Sequence, residues 1–305
     1  MPPELMGLFS GIVMALGNVA GRVGLRGSKP MEGVFWTLLP GIAIIVLATI
    51  ILFLVGVPIP LDPRGLPYLI VAGFTSDLGA RLAFFHAIAR IGVSRTAQLR
   101  AVDPVITAGI AVTWLSEKLT LASSLGIVMV TAGVAILALE KSVPGGEGNN
   151  ALESRKSLLS REKTIGILFG LLASFLYVIS NLTAKVGMAY VSPYAGTAIR
   201  HISGLIFLML YLLFTRKTGE IRGVASQSIR YYTLSGALMT ASVLLFFIGL
   251  VSAPVSTTNA LKNTTPLWAT LFGYIFIRQE ERVTPQVLAS AAIITAGVFL
   301  VVFKG

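Results

Sequence analysis

The sequence predicts an all-α, polytopic membrane protein whose ten transmembrane helices form two inverted five-helix repeats. Three observations predict this fold class: the composition, the recurrence of long apolar runs, and the similarity of the two halves of the chain. Of the 305 residues, 55% are hydrophobic and only 12% are charged. A soluble domain carries about 25% charged residues, so lipid must replace water around most of this protein.

Apolar runs of roughly 20 residues recur along the chain, and each is long enough to cross a hydrocarbon core of about 30 Å. They predict spans near 5–23, 33–56, 66–89, 94–115, 120–139, 164–185, 194–214, 230–251, 255–277 and 284–303. The one long hydrophilic break separates the fifth span from the sixth. The chain therefore divides into a first repeat (1–140), a hydrophilic linker (141–163) and a second repeat (164–305).

The two halves match each other at a nearly constant spacing. NVAGRVGL at Asn18–Leu25 corresponds to NLTAKVGM at Asn181–Met188, and TAGV at 131–134 recurs at 295–298. Because the matched segments keep their order along the chain, this is an internal duplication. Five is an odd number of spans, so the second copy enters the membrane from the opposite side. Inverted repeats of this kind are typical of secondary transporters.

Basic residues indicate the orientation of the protein. Lys and Arg concentrate in the connections on the same side as the linker, whereas the opposite side holds only Arg64, Lys118, Lys185 and Lys304. By the positive-inside rule, we expect a multi-pass protein of the cell membrane with the linker 141–163 in the cytoplasm and both termini outside. This excess also accounts for the formal net charge of +11, so no nucleic-acid partner is expected.

Span four carries charged residues inside the membrane, where a charged side chain is energetically costly. Arg100 and Asp103 share one helix face, and Pro104 follows Arg100 by four residues. At the matching place in span nine, Pro266 follows Lys262 by the same interval. Proline removes the hydrogen bond to the carbonyl four residues earlier. Pro104 and Pro266 therefore predict a helix break at a cation in each half.

We predict that Arg100 and Lys262 bind the carboxylate or phosphate group of a substrate. A structural ion pair between Arg100 and Asp103 is the alternative interpretation. Further candidate substrate-binding side chains lie in spans three, six and nine, namely Arg81, Tyr177, Asn181, Asn259 and Asn263. The chain contains no Walker A, HExxH, nucleophile-elbow or Rossmann glycine motif, so we expect no catalytic residue, metal or cofactor.

Two carboxylates are candidates for proton coupling, Asp77 in span three and Asp103 in span four. Asp77 precedes Arg81 by four residues, a spacing that allows the two side chains to pair along a helix. Each carboxylate either exchanges a proton during transport or neutralises its neighbouring arginine, and the spacing leaves both roles open. We interpret His86 and His201 as packed histidines rather than proton relays.

The segment SRTAQLRAVDPVITAGIAVTWLSEKLT from Ser94, followed by LGIVMVTAGVAIL, resembles the EamA repeat of the drug/metabolite transporter superfamily. The second half resembles the same repeat. The positions that match its pattern are Lys185, Ser192-Pro193, Arg200, Glu117 and Glu281. The resemblance implies a ten-helix carrier whose central cavity is lined by the first, third and fourth helices of each half.

We therefore expect a secondary active transporter, an exporter or exchanger, that moves a small anionic or zwitterionic metabolite by alternating access. The alternative within this class is a proton-coupled exporter of cationic drugs or amines with Asp77 or Asp103 as counter-ion. An intramembrane enzyme and a channel are the alternatives from other classes. The expected partners are a small-molecule substrate, the lipid bilayer and, for a titrating carboxylate, a coupling proton. The protein is expected to be a monomer or a homodimer.

Overall fold

The computed structural model describes residues 3–103, 105–106, 121–139, 149–221, 223–252, 261–278 and 283–302. Within these ranges the chain is helical, and the extended backbone is limited to short connections and one antiparallel bridge between Leu61 and Val191. The first half contains α1 (Pro3–Gly24), α2 (Pro30–Leu54), α3 (Leu66–Gly73), a π-helical segment (Phe74–Ala80), α4 (Arg81–Ile91), α5 (Val93–Arg100) and α6 (Leu121–Leu139). The second half contains α7 (Asn149–Gly187), α8 (Pro193–Phe214), α9 (Ser226–Ser252), α10 (Thr265–Phe276) and α11 (Pro285–Val302).

Six helices among the described residues are long and apolar enough to cross a membrane. They are Leu5–Gly24, Pro30–Leu54, Pro63–Ile91, Arg161–Gly187, Pro193–Phe214 and Ser226–Gly249. Two shorter apolar helices cover Ser124–Leu137 and Pro285–Leu300. Large apolar side chains such as Phe53, Leu54 and Phe214 point outward and are largely exposed. Such surfaces require lipid, so the protein is a multi-pass membrane protein.

Several predicted spans differ by a few residues from the observed helices, such as the second, 33–56 against Pro30–Leu54, and the eighth, 230–251 against Ser226–Ser252. The third span is longer than the predicted 66–89, because a continuous helical rod runs from Pro63 to Ile91. The seventh helix, α7, begins at Asn149 within the hydrophilic linker, because the helix that crosses the membrane continues toward its N-terminus beyond the apolar stretch. Of predicted span four, α5 and the residues up to 106 are described, apart from Pro104, and 107–115 lie outside the described residues.

Corresponding helices in the two halves begin in corresponding ways. Pro30 and Pro193 both occupy the first turn, where a missing backbone N–H removes no helical hydrogen bond. The Glu32 carboxylate accepts a hydrogen bond from the backbone N–H of Lys29 at 2.9 Å, and Ser192 Oγ accepts one from the backbone N–H of Ala195 at 3.3 Å. Local sequence therefore determines where the second helix of each half starts.

Gly92 separates α4 from α5. Its φ of +84° lies in the left-handed region, which side chains with a Cβ disfavour. The turn at Gly92 lets the chain reverse immediately between the third and fourth spans. As a result, α5 returns beside the rod that carries the charged residues of span three.

Helix packing between the halves is reciprocal. Helix α1 packs against α9, and its counterpart α7 packs against α4; α2 packs against α9, and its counterpart α8 packs against α3. Helix α1 also packs against α10, and its counterpart α7 packs against α5. Counterparts contact each other directly as well, α2 with α8, α5 with α10 and α6 with α11.

Buried serine hydroxyls tie these helices together. Ser10 donates to the Ser242 carbonyl at 2.8 Å, and Ser180 donates to the Ala72 carbonyl at 2.9 Å. Hydrogen bonds of this type contribute to helix association in a membrane, because lipid tails are themselves apolar and the hydrophobic effect does not drive helices together there.

Candidate substrate-binding site

A cavity of about 350 Å³ lies between the two halves of the protein. We call it the central cavity. Residues of α1, α5, α7 and α9 line it together with the turn that precedes α10. Its polar and charged lining residues are Asn18, Arg100, Asp103, Asn181, Lys185, Lys262, Asn263 and Thr265. A volume of this size accommodates a small metabolite.

The two cations that the sequence singled out both line this cavity, and each faces aromatic rings. The guanidinium carbon of Arg100 lies 3.9 Å from the ring centre of Tyr177 and 5.7 Å from that of Phe84. The ammonium of Lys262 lies 3.6 Å from the ring centre of Phe246. Because Phe246 is the duplicate of Phe84, the cation in each half faces the same aromatic position. Cation–π contacts hold both charges at the cavity wall while leaving hydrogen-bond donors for a ligand.

In the second half, a turn separates Lys262 from α10. Lys262 belongs to a short helical stretch that ends in a turn at 263–264, and α10 begins at Thr265. Pro266 occupies the first turn of α10, where it cannot donate to the Lys262 carbonyl. Thr265 Oγ1 donates to that carbonyl instead, at 2.6 Å. The backbone group released by the proline is therefore satisfied locally.

In the first half the helix also ends at the cation. Helix α5 stops at Arg100, and a turn follows at 101–102. The proline of this break, Pro104, lies outside the described residues. Arg100 and Asp103 form an ion pair with 3.7 Å between Nη2 and Oδ2, and both side chains retain about one seventh of their exposure. The pair lies at the cavity wall and not in the sealed core.

A second group of charges surrounds Asp77, which lies in the π-helical segment. Its Oδ1 is 2.7 Å from Arg81 Nη2, and its Oδ2 is 3.2 Å from Arg200 Nε and 3.1 Å from His201 Nδ1. We call these four residues the Asp77 cluster. All four are buried, with exposures of 5% or less. Arg81 comes from the first half, whereas Arg200 and His201 come from α8 in the second, so the cluster joins the two repeats.

Neighbouring polar groups complete the Asp77 cluster. Arg81 donates to Thr37 Oγ1 at 3.2 Å, and His201 Nε2 lies 3.3 Å from Thr240 Oγ1. Close approach of the rod to α8 depends on Gly204, where an added Cβ would lie 2.5 Å from the Asp77 Cβ. The π-helical turn, a feature common at functional sites, places Asp77 against this glycine.

A smaller cavity of about 30 Å³ connects the Asp77 cluster with the central cavity. We call it the inner pocket. Asp77, Arg81 and Arg200 line it from one side, and Arg100 and Lys262 line both cavities. Tyr177 also lines the inner pocket. The two charged regions are therefore parts of one site.

The structure brings most of the predicted residues together. Arg100, Asp103, Asn181, Lys262, Asn263 and Pro266 line the central cavity, and Asp77, Arg81 and Tyr177 line the inner pocket. Asn259 and Pro104 lie outside the described residues. Among the described residues, there is no group of three or more His, Asp or Glu side chains that could hold a metal ion.

Five polar or charged side chains of the site were not among the predicted binding or coupling residues: Asn18, Lys185, Arg200, His201 and Thr265. Of these, Lys185 and Arg200 stood out only as positions that match the EamA repeat. Two signals were available. Asn18 and Asn181 occupy the same position in the two copies, and Arg200 is a cation inside a span. His201 was interpreted as a packed histidine, and it is buried, but its contact with Asp77 depends on helix packing that spacing does not reveal.

Comparison with known proteins gives a family and a fold. The family model of the EamA-like transporter family matches residues 1–139 and 164–303. The solved structures that match include one described as "Crystal structure of protein". Its sequence is 16% identical to this chain, and the TM-score between the two structures is 0.64. That match covers 98% of this chain and 95% of the other chain, and at this identity it shows the fold alone. A search of curated proteins finds no significant match.

Proposed function

This chain belongs to the EamA-like transporter family, and from that premise we propose that it is a secondary active transporter of a small anionic or zwitterionic metabolite. The cavity between the repeats is the proposed substrate site. In this mechanism the two repeats rock about the cavity, which opens to one side of the membrane at a time. The direction we propose is export or exchange.

The proposed architecture is ten transmembrane helices in two inverted five-helix repeats. The reciprocal packing of α1 with α9 and of α7 with α4 supports it, since a two-fold relation between the halves requires paired contacts of this kind. The uneven distribution of Lys and Arg supports a cell-membrane orientation with the linker in the cytoplasm.

The positive charge of the cavity walls is the observation that supports an anionic substrate. Five cationic side chains line the two cavities, namely Arg81, Arg100, Lys185, Arg200 and Lys262. Two carboxylates, Asp77 and Asp103, oppose them among the described lining residues. The surplus positive charge lies in a region where solvent screening is weak, so it favours an anionic group in the substrate.

An exporter of cationic drugs or amines is the competing function. It requires a carboxylate that is available to an incoming ammonium group. Asp77 already contacts Arg81, Arg200 and His201, and Asp103 pairs with Arg100. An amine would have to displace these partners in a positively charged cavity, so the geometry favours the anionic substrate.

Of the two candidate coupling carboxylates, we favour Asp103. It lines the central cavity, and its exposed fraction allows a proton to reach it from there. Asp77 is the more deeply buried of the two and is held by charged partners from both halves. In this proposal the Asp77 cluster holds the repeats together, and Asp103 exchanges the proton.

Transport by purified protein in proteoliposomes tests the substrate site. Initial uptake rates are measured for labelled carboxylates, phosphate monoesters, amino acids and organic amines. We expect an anionic or zwitterionic compound to be transported, and Arg100→Gln and Lys262→Gln each to lower its rate at least about tenfold, because each removes a charge-assisted hydrogen bond.

Lys217→Gln is the matched control, since Lys217 is half-exposed outside the cavity and lies 3.9 Å from Glu220. It should transport at the wild-type rate. Normal transport by both Arg100→Gln and Lys262→Gln would rule out the proposed site. Transport of amines in place of anions would support the competing function.

A further inference from the structure

Asn18 is a buried amide at the junction of the two cavities. Its exposure is 1%, and it lines both the central cavity and the inner pocket. Among the described residues, neither its amide nitrogen nor its amide oxygen has a hydrogen-bond partner. A buried amide without partners is unfavourable, so its donors and acceptor are available to a ligand or to water in the two cavities.

Asn181 is the duplicate of Asn18 and lines the same two cavities. Each repeat therefore contributes one asparagine at the boundary between the central cavity and the inner pocket. An amide supplies two N–H donors and carries no charge. Two such amides can orient an anionic group without adding to the positive charge around it.

The inner pocket has the size and charge for one anionic group. Its volume of about 30 Å³ holds only a few water-sized groups. Four cations line it, namely Arg81, Arg100, Arg200 and Lys262, against the single described carboxylate of Asp77. Nε of Arg81 has no hydrogen-bond partner among the described residues. A carboxylate or phosphate group fits these donors, whereas a whole metabolite exceeds the pocket.

The central cavity has a different character away from its cations. Much of its wall is made of apolar side chains, including Met14, Val178, Leu182, Met188, Phe246 and Phe247. Hydroxyl groups placed against these apolar side chains would find no hydrogen-bond partner on that part of the wall. An apolar or aromatic body gains from the contact, because it leaves water.

We infer that the transported substrate is an amphipathic anion: its carboxylate or phosphate group occupies the inner pocket, oriented by Asn18 and Asn181, and its apolar body fills the central cavity. This inference rests on the proposed transport function and narrows its substrate class. It also assigns Asn18 and Asn181 as residues that determine specificity for an anionic group.

Equilibrium binding to the purified wild-type protein tests the substrate class. The probes are phenylacetate and phenyl phosphate, their head groups alone as acetate and inorganic phosphate, the neutral 2-phenylethanol, and the cationic phenethylamine. We expect phenylacetate or phenyl phosphate to bind at least about tenfold more tightly than each of the other four probes. Whichever of the two binds more tightly distinguishes a carboxylate from a phosphate site.

Three results would overturn the inference: equal binding of acetate and phenylacetate, binding of phenethylamine as tight as that of the anions, or no binding of any probe at millimolar concentration. Because binding is measured without a membrane gradient, it is independent of transport. Anion binding with the expected pattern but without transport would count against the proposed function alone.

Charge placed at the asparagines tests their role. Asn18→Asp and Asn181→Asp keep the side-chain size and add a negative charge, so each should weaken binding of phenylacetate at least about tenfold while weakening binding of 2-phenylethanol much less. Gln227→Glu adds the same charge at an exposed site and should leave both affinities unchanged. Asn181→Asp provides the test if Asn18→Asp does not fold. Unchanged phenylacetate affinity in a folded variant would remove the assignment.

Discussion

At the scale of single residues, the two intramembrane carboxylates differ in their surroundings. Asp77 contacts three cationic or imidazole side chains drawn from both halves and is 1% exposed. Asp103 pairs with Arg100 across a longer distance at the cavity wall. A charge removed from a sealed cluster leaves its partners uncompensated, whereas a charge removed at a cavity wall leaves partners that other groups or water can reach.

The change to asparagine separates these two roles. Asp77→Asn should lower the free energy of unfolding by about 3 kcal/mol or more, because two buried guanidinium groups lose their counter-charge. Asp103→Asn should lose less stability. A pH gradient should no longer accelerate transport by this variant, because the carboxylate that exchanges the proton is gone. Thermal unfolding in detergent and gradient-driven uptake measure the two effects. Asp62→Asn serves as control and should change neither, because Asp62 is partly exposed and pairs with Arg64 at the surface, away from both cavities.

If Asp77→Asn unfolds like the wild type, the Asp77 cluster does not hold the repeats together. If Asp103→Asn keeps its response to the gradient, Asp103 is not the coupling group. Of these contacts, the Asp77–Arg81 pair could be predicted from sequence, since four residues on a helix bring two side chains together. The contacts of Arg200 and His201 with Asp77 could not, because they depend on how α8 packs against the rod.

At the scale of helices, the site is built from broken elements. Helix α5 ends at Arg100, and α10 starts three residues after Lys262, so each cation lies at or near a helix end. Proline spacing predicts a break beside each cation, because proline removes a backbone hydrogen bond locally, and Pro104 itself lies outside the described residues. The π-helical turn at Asp77 was not predictable, because its segment FTSDLGA contains no proline and the packing of Asp77 against Gly204 is a contact between distant parts of the chain.

If the repeats are inverted, the loops that follow the second helix of each repeat lie on opposite sides of the membrane. The chain has no cysteine, so single cysteines can be introduced without a background. Leu61 is exposed after α2, and Gly219 is exposed after α8, where an added Cβ meets nothing within 4 Å. A membrane-impermeant maleimide should label Leu61→Cys in intact cells. It should label Gly219→Cys only after the cells are permeabilised.

Labelling of both cysteines from the same side would contradict the inverted arrangement. Labelling of Gly219→Cys from outside and of Leu61→Cys only after permeabilisation would keep the inversion but reverse the orientation. In that case the linker 141–163 would lie outside, against the distribution of Lys and Arg.

At the scale of the whole molecule, the duplication explains where the site lies. Helices of one repeat pack against the corresponding helices of the other, and the central cavity forms where α1, α5, α7 and α9 meet. Asn18 and Asn181, and likewise Arg100 and Lys262, reach this cavity from equivalent positions. The repeat could be read from sequence because it survives as matched segments. The inner pocket could not, because it lies between residues that are distant in the chain.

The asymmetry of the site also appears only at this scale. Asp103 has Thr265 as its duplicate, and Arg200 has Thr37. Each repeat therefore supplies a charge that the other lacks, Asp103 at the central cavity and Arg200 in the Asp77 cluster. A transporter with two nearly equivalent halves can in this way bind one substrate in one orientation.

Accelerated exchange in proteoliposomes tests most directly whether this protein is a carrier for an anion. Vesicles are loaded with the unlabelled anion that gives the fastest uptake, and entry of the labelled anion is followed over a range of external concentrations. The account predicts saturable entry that internal anion accelerates and that Arg100→Gln and Lys262→Gln each slow at least about tenfold. Entry that rises linearly with concentration, ignores the internal anion and persists in both variants would contradict it.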